Sequence, residues 1–331
     1  MTYAFGNAQS IGQRQTQEDA FGFSDPGEAA FVAHAGFLAV LADGMGGLAH
    51  GDLAGRSAVR AFLDAYSQKT DAESIPDALA RALVAANLAV LGAATQVGQT
   101  SELGTTLVAA VIHGQEAYWI SIGDSALFHV RGGEVTQWNT PHVYSVELDA
   151  RVLSGELTAD QALADPQREA LTSYLGMATL PVVDRSLRPM RIADADILLL
   201  ASDGLFKTLP ATQLPPCTGA LQDHCESLVA AALDRQAPGQ DNITVIGLCQ
   251  QQDPPVFDAA PLLAAPKRRW LSWVAIAVFL AGAAVATFWI SRREAANHPA
   301  PKVESPKNQR ESTGQRFDTS KLPGPHEAAK P

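Results

Sequence analysis

Cysteine is nearly absent. Cys217, Cys225 and Cys249 are the only three in 331 residues, an odd number with no CxxC spacing. Neither a disulfide framework nor a structural zinc site is expected, and a reducing compartment is the simpler setting. Positive charge is also short: 24 Lys and Arg against 35 Asp and Glu leave a net charge of −11, which argues against a nucleic-acid-binding surface. Met1 to Gly6 has neither a basic start nor an apolar run, so no secretory signal is expected and the main domain should stay on the side where it is made. No internal repeat is seen. What the chain does have is apolar material, 47% of its residues, enough for one large core with appendages.

The most informative stretch runs from Leu38 to Val59. The apolar run Leu38-Ala39-Val40-Leu41-Ala42 stops at Asp43, glycines stand at 44, 46 and 47, and a helix-compatible pattern continues through Ala54 and Ala58. That order reads as strand, tight loop and helix. Glycines beside a strand-end carboxylate leave backbone carbonyls uncovered, and hard divalent cations take such oxygen ligands. Taken alone, the stretch fits an ordinary capped turn equally well.

Helical spacing is expected over 53–67 and 75–95, the second carrying Leu79, Leu83, Ala86 and Val90 on one face. From Gly104 the period changes to that of strands at 105–112, 117–122, 126–130 and 134–138, with turns at Gly123-Asp124 and Gly132-Gly133. Such short connections make the strands antiparallel. Residues 142–176 read as helical again, followed by strands at 182–187 and 196–201, a helix over 222–235 and a last strand at 243–249. Strands in runs between paired helices do not fit an all-parallel βαβ fold; an α+β sandwich of antiparallel sheets with helices outside fits better. Trp119 and Trp138 are expected in the core, and His50 and His142 at the surface or in supporting positions.

Asp43, Asp203 and Asp241 each sit where a strand meets a loop, each followed by Gly or Asn, and the loop Arg14-x-x-x-Glu18-Asp19 is a fourth acidic source. Several carboxylates share one rim only when cations neutralise them. With no His or Cys offered, Mg²⁺ or Mn²⁺ suits the donor set. Two such ions roughly 3.5–4 Å apart would activate a water for in-line attack at phosphorus, which points to phosphoester hydrolysis.

These residues, together with Gly51-Asp52-x-Ala54, Gly104-Thr105-Thr106, Gly123-Asp124-Ser125, Ser202-Asp203-Gly204-Leu205 and Asp241-Asn242-Ile243-Thr244, resemble the PP2C (PPM) metal-dependent protein Ser/Thr phosphatases in order and spacing. The resemblance covers about residues 5–250. It implies an α-β-β-α sandwich with a dinuclear Mn/Mg centre at one end. Asp43 then matches the bridging ligand and the Gly44 carbonyl a further ligand; Asp203 and Asp241 match holders of the first ion and Glu18 of the second. Asp19 matches an orienter of bound water, and Arg14 the phosphate clamp. The chain departs from the family at Met45, where some eukaryotic members have a His, at Ala126 in place of Arg, at Gln17 in place of Asn, and at Pro141-His142 with Ser145. The resemblance also implies a third ion near Asp124, but Lys207 stands where a second acidic ligand is usual. Lys207 either takes over the charge of that ion or points outward as a surface lysine, the outward placement being the simpler expectation.

After Cys249 a Pro- and Ala-rich linker with a basic juxtamembrane end is expected over 251–269, a transmembrane helix over 270–290, and a disordered polar tail over 291–331. Trp270 to Ile290 is 21 uncharged residues, about 31 Å as a helix and long enough for a bilayer core. Lys267-Arg268-Arg269 and Arg292-Arg293 flank it, and Trp270, Trp273 and Trp289 lie near its ends. The whole then reads as a single-pass inner-membrane phosphatase. Basic residues flank both ends and Lys302, Lys307 and Arg310 add to the far side, so the positive-inside count does not favour a cytoplasmic domain. Residues 1–250 are placed in the cytoplasm on the lack of a secretory signal and on intracellular phosphoproteins as substrates. Its expected substrates are phosphorylated proteins and its expected opponent a Ser/Thr kinase. Two rivals stand beside it: a regulatory pseudophosphatase that binds a phosphoprotein or kinase, and a membrane scaffold.

Overall fold

The computed structural model describes residues 2–46, 50–98 and 103–251. The chain opens with β1 (Thr2–Ser10), β2 (Ala20–Phe23), α1 (Ala29–Ala35), β3 (Phe37–Ala42) and the short β4 (Gly44–Gly46). Two long helices follow, α2 (Gly51–Tyr66) and α3 (Ile75–Gln96), then a run of strands: β5 (Leu103–Thr105), β6 (Leu107–His113), β7 (Glu116–Ile122), β8 (Ala126–Arg131) and β9 (Glu134–Gln137). After α4 (Tyr144–Leu153) and α5 (Ala159–Leu163) come β10 (Asp184–Arg185), β11 (Met190–Arg191), β12 (Ile197–Ala201), the single turn α6 (Asp203–Phe206), α7 (Leu221–Leu233) and β13 (Ile243–Gln251).

Two antiparallel sheets are stacked between helices. One has the order β1-β13-β12-β8-β9, the other β10-β7-β6-β3-β2 with β11 also pairing β7. Strand β3 shows why the layers form. All six of its residues are buried, and because successive side chains alternate they serve two interfaces. Leu38, Val40 and Ala42 pack with Phe62, Leu79 and Leu83 of α2 and α3, while Phe37, Ala39 and Leu41 pack with Leu198, Leu200 and Ile246 of the facing sheet. In that facing sheet Ile197, Leu199 and Ala201 turn the other way, onto Cys225, Leu228 and Val229 of α7. The result is the helix, sheet, sheet, helix order expected of the sequence. Each fully buried Leu or Ile in it contributes about 1.5–3 kcal/mol.

Several expected elements came out differently. The strand expected over 105–112 divides at Thr106, because Gly104 and Thr105 pair with Met45 and Gly44 of β4 before β6 begins. The stretch 142–176 is helical only in α4 and α5; Gly155 takes φ +80° between them, and residues 164–176 form an irregular segment anchored at Thr105 and Leu175. The strand at 182–187 contracts to the two residues of β10, and α1 was not foreseen. Gly132 and Gly133 make the β8–β9 hairpin turn, both at positive φ, as expected. Trp119 and Trp138 pack with tilted rings, 5.4 Å between centres, over the inter-sheet core.

Among the described residues α3 alone is long and apolar enough to cross a membrane, but half of its most apolar stretch is buried in the protein, where Ala78, Leu79, Ala82, Leu83, Ala86 and Val90 face the core. The linker, the segment 270–290 and the polar tail lie outside the described residues.

Candidate functional site

The expected acidic residues come from separate places in the fold. Asp43 follows β3, Asp203 opens α6 directly after β12, Asp241 precedes β13, and Asp124 follows the Gly123 turn after β7. All four, with Glu18, Arg14 and the backbone at Gly44, line one cavity of about 520 Å³. Met45 and Lys207 complete its charged and apolar lining, with Glu169, Leu171 and Tyr174 from the irregular segment.

Local packing holds these loops together. Gly44 donates its N–H to the Glu18 carbonyl at 3.3 Å, and a Cβ on Gly44 would lie 2.1 Å from the Gly51 carbonyl oxygen, so only glycine fits. A Cβ on Gly51 would in turn strike the Glu18 carboxyl at 2.6 Å; the bare backbone is what lets Glu18 reach the cavity. Asn242 is the tie that sequence reasoning left without a role. Its Oδ1 accepts from the Glu18 N–H at 2.8 Å, and its Nδ2 donates to the carbonyls of Ile11 and Thr16, both at 3.0 Å. One buried amide thus fixes the 11–18 loop against the Asp241 loop. Gly12, at φ +61°, lies so close that a Cβ would meet the Asp241 carbonyl oxygen at 2.3 Å. Arg14 emerges from that contact and reaches Asp241 Oδ2 at 2.7 Å.

Asp19 stands apart from the cavity lining. It is buried, and its Oδ2 accepts hydrogen bonds from Ser202 Oγ at 2.8 Å and Thr244 Oγ1 at 2.7 Å. His142, expected at the surface or in a supporting position, is buried and supporting: its Nδ1 accepts from the Gly123 N–H at 3.1 Å, and its backbone N–H donates to the Gly123 carbonyl at 2.9 Å. It therefore braces the turn that presents Asp124. Gly104 is bare for a similar reason, since a Cβ there would touch the Tyr174 ring at 2.6 Å. The glycine in Gly104-Thr105-Thr106 was the one sequence signal that could have located the Tyr174 wall.

The electrostatics are those of crowded carboxylates. Burial, reinforced by Asp19, Asp203, Asp124 and Asp241, pushes the Asp43 carboxyl well above the usual carboxylate range. Burial lifts Asp19 to about 6 against its two hydroxyl donors, and burial with Asp203 nearby lifts Asp124 to about 6. Glu18 is also raised, again chiefly by burial. The cost of gathering these groups is partly offset by the chain's own cations. Lys207 does not point fully outward as expected: it is half exposed at the cavity rim, with its ammonium 2.5 Å from Asp203 Oδ2 and 3.8 Å from Asp124 Oδ2. Burial lowers its proton affinity, but Asp203 and Asp124 outweigh that and the net shift is upward.

Drawn toward Arg14 and Lys207, the carboxylates as they stand do not encage an ion; among the described residues no three acidic, His or Cys side chains converge closely enough to do so. The donor chemistry nevertheless fits a hard divalent cation. The set is all oxygen, the proton affinities of Glu18, Asp19, Asp43 and Asp124 are raised, and the buried oxygens Asp19 Oδ1 and Asp203 Oδ1 have no hydrogen-bond partner among the described residues. An unpartnered buried carboxylate oxygen is costly, and a cation is the partner that removes the cost.

Comparison with known proteins agrees with this geometry. The serine/threonine phosphatase stp of Listeria monocytogenes is 29% identical over 215 residues, 63% of this chain and 82% of its own length. The crystal structure of the serine/threonine phosphatase PstP/Ppp of Mycobacterium tuberculosis is 25% identical with a TM-score of 0.61, covering 76% of this chain and 100% of that one. A structure of the PstP catalytic domain with two manganese ions shares the fold at 24% identity and a TM-score of 0.58, covering 76% of this chain and 99% of that one. The protein phosphatase 2C family matches residues 8–240, well over half of the sequence, and with the sandwich and its acidic rim this establishes that the chain belongs to the protein phosphatase 2C family.

Proposed function

We propose that this chain hydrolyses phosphoserine and phosphothreonine esters on proteins, with two Mn²⁺ or Mg²⁺ ions held at the acidic cavity. The observation that supports it most is the gathering of Glu18, Asp43, Asp124, Asp203 and Asp241 around one cavity with Arg14 at its rim. When bound, such ions supply Lewis acidity and an activated water for attack at phosphorus. The chain's part is to hold charge and orientation. Asp43 would bridge the ions, Asp203 and Asp241 would serve the first, Glu18 and the Gly44 carbonyl the second, and Asp19 would orient water through its hydroxyl-bonded carboxylate. Asp124 lines the same cavity near Asp203, with the Lys207 ammonium close to both. The Arg14 guanidinium, half exposed, is free to exchange Asp241 for a substrate phosphate, whose dianion suits its fork.

The reading is tested by hydrolysis of p-nitrophenyl phosphate and of a phosphothreonine peptide in Mn²⁺. The full chain should turn over both, and Arg14→Ala should lose about 10²-fold in kcat/KM. Turnover no greater than that of an Asp203→Ala control would favour a phosphoprotein-binding pseudophosphatase instead.

The phosphatase domain is further proposed to be tethered on the cytoplasmic face of the inner membrane by the helix of residues 270–290, and to oppose a Ser/Thr kinase acting on the same proteins. The sequence supports the tether through its uncharged length and the arginines and tryptophans at its ends. The full chain should sediment with membranes through a carbonate wash and be released by detergent, whereas a chain lacking 256–331 should remain in the supernatant. Recovery of the full chain in the soluble fraction would overturn the tether.

A further inference from the structure

Lys207 follows the single turn of α6, and the residues around it are firmly seated: Leu205 and Leu209 are buried, and Phe206 packs edge-on against Phe128, 6.1 Å between ring centres. With those neighbours turned into the core, Lys207 is left to face the cavity that it lines. Its ammonium donates to Asp203 Oδ2 at 2.5 Å and lies 3.8 Å from Asp124 Oδ2. Those two carboxylates are only 14% and 12% exposed, so water screens them little and a cation between them is needed.

We propose that the Lys207 ammonium is a resident counter-ion for the Asp124–Asp203 pair and keeps a divalent cation out of the space between them. The inference rests on the two-ion reading above and sets its upper limit. A tethered ammonium differs from a bound ion in being removable neither by chelation nor by dilution. A divalent cation entering the same space would have to break the Lys207–Asp203 hydrogen bond and accept a positive charge as its neighbour. The two oxygens of Asp203 are accordingly divided. Oδ2 belongs to Lys207, and Oδ1, buried and unpartnered among the described residues, is the one left for an ion elsewhere in the centre. An acidic or amide side chain at 207 would reverse the arrangement by adding an oxygen donor where the positive charge now sits.

Counting bound Mn²⁺ tests this on the full chain, by calorimetric titration and by the electron paramagnetic resonance signal of free Mn²⁺, with folding of each variant checked by circular dichroism. K207D should bind one Mn²⁺ more per chain than wild type, K207N should also gain one at higher Mn²⁺ concentration, and K207R should match wild type. If K207D fails to fold, K207N against K207R decides. Equal counts in wild type, K207D and K207N would overturn the proposal. A wild-type count below two would overturn the two-ion reading instead, while the difference between variants still judges Lys207.

Discussion

Replacing Asp43 with Asn is expected to lower kcat/KM by about 10³-fold and, in the absence of metal, to raise the melting temperature. The two effects have one origin. The Asp43 backbone is held independently of its side chain: its N–H donates to Thr106 Oγ1 at 3.0 Å, and its carbonyl accepts from Thr105 Oγ1 and the Thr106 N–H, both at 2.9 Å. Asn therefore keeps the loop while discarding a charge that burial and four neighbouring aspartates disfavour. Relief of that repulsion should stabilise the metal-free protein by about 1–2 kcal/mol, a stability gained at a functional site's expense. For a domain of this size it corresponds to roughly 2–8 °C. Steady-state hydrolysis of p-nitrophenyl phosphate and thermal melting in a chelator measure the two arms. Activity within tenfold of wild type would remove Asp43 from the centre, and a lowered melting temperature would mean that its charge is matched by a partner in the folded protein.

The contrast between Asp43 and Lys207 shows what a sequence can and cannot reveal here. Asp43 was legible because the residues before it are apolar without interruption and the residues after it are glycines; a strand buried on both faces and a loop without side chains have local signatures. The sandwich was legible for the same reason, since Leu38 to Ala42 and Ile197 to Ala201 must each satisfy two interfaces. Lys207 carries no such signature. Its approach to the cavity depends on Asp124, from the distant turn between β7 and β8, and on the core packing of Leu205 and Phe206. The wall made by Glu169, Leu171 and Tyr174 was hidden because 142–176 reads as one helical stretch, whereas residues 164–176 are irregular. Their course is set by the Thr105–Leu175 bridge and by the space left over Gly104. Asn242 was visible as part of a motif, but its three loop-tying hydrogen bonds could be assigned only once residues 11–18 lay beside it.

Chelating Mn²⁺ at pH 7.5 is expected to lower the melting temperature by about 10–20 °C, and that gap should shrink as the pH falls toward 5. Two sites each at 100 times their Kd would contribute about 5 kcal/mol together, and each kcal/mol moves a domain of 150–250 residues by about 2–4 °C. The pH dependence follows from the crowded carboxylates. Burial raises the proton affinities of Asp43 and Glu18, which would hold the ions, and lifts Asp19 beside them to about 6, against an ordinary value of 3.8. Between those two values the folded state binds more protons than the unfolded one, so these groups favour folding less and less as pH rises through the window, and above about 6 their full cost is felt. Cations remove that cost at pH 7.5, but at pH 5 they must first displace protons that already remove it. His142 and His224, whose proton affinities burial lowers, act in the opposite direction below their ordinary value. Neither lines the acidic cavity; the effect of His224 therefore cancels in the gap, and that of His142, which braces the Asp124 turn, cancels as long as Asp124 holds no ion. The gap, and not the melting temperature itself, is therefore the diagnostic quantity. A gap that stays constant from pH 7.5 to 5 would mean that cations and protons do not compete for these oxygens, and the acidic cavity would lose its claim to the metals.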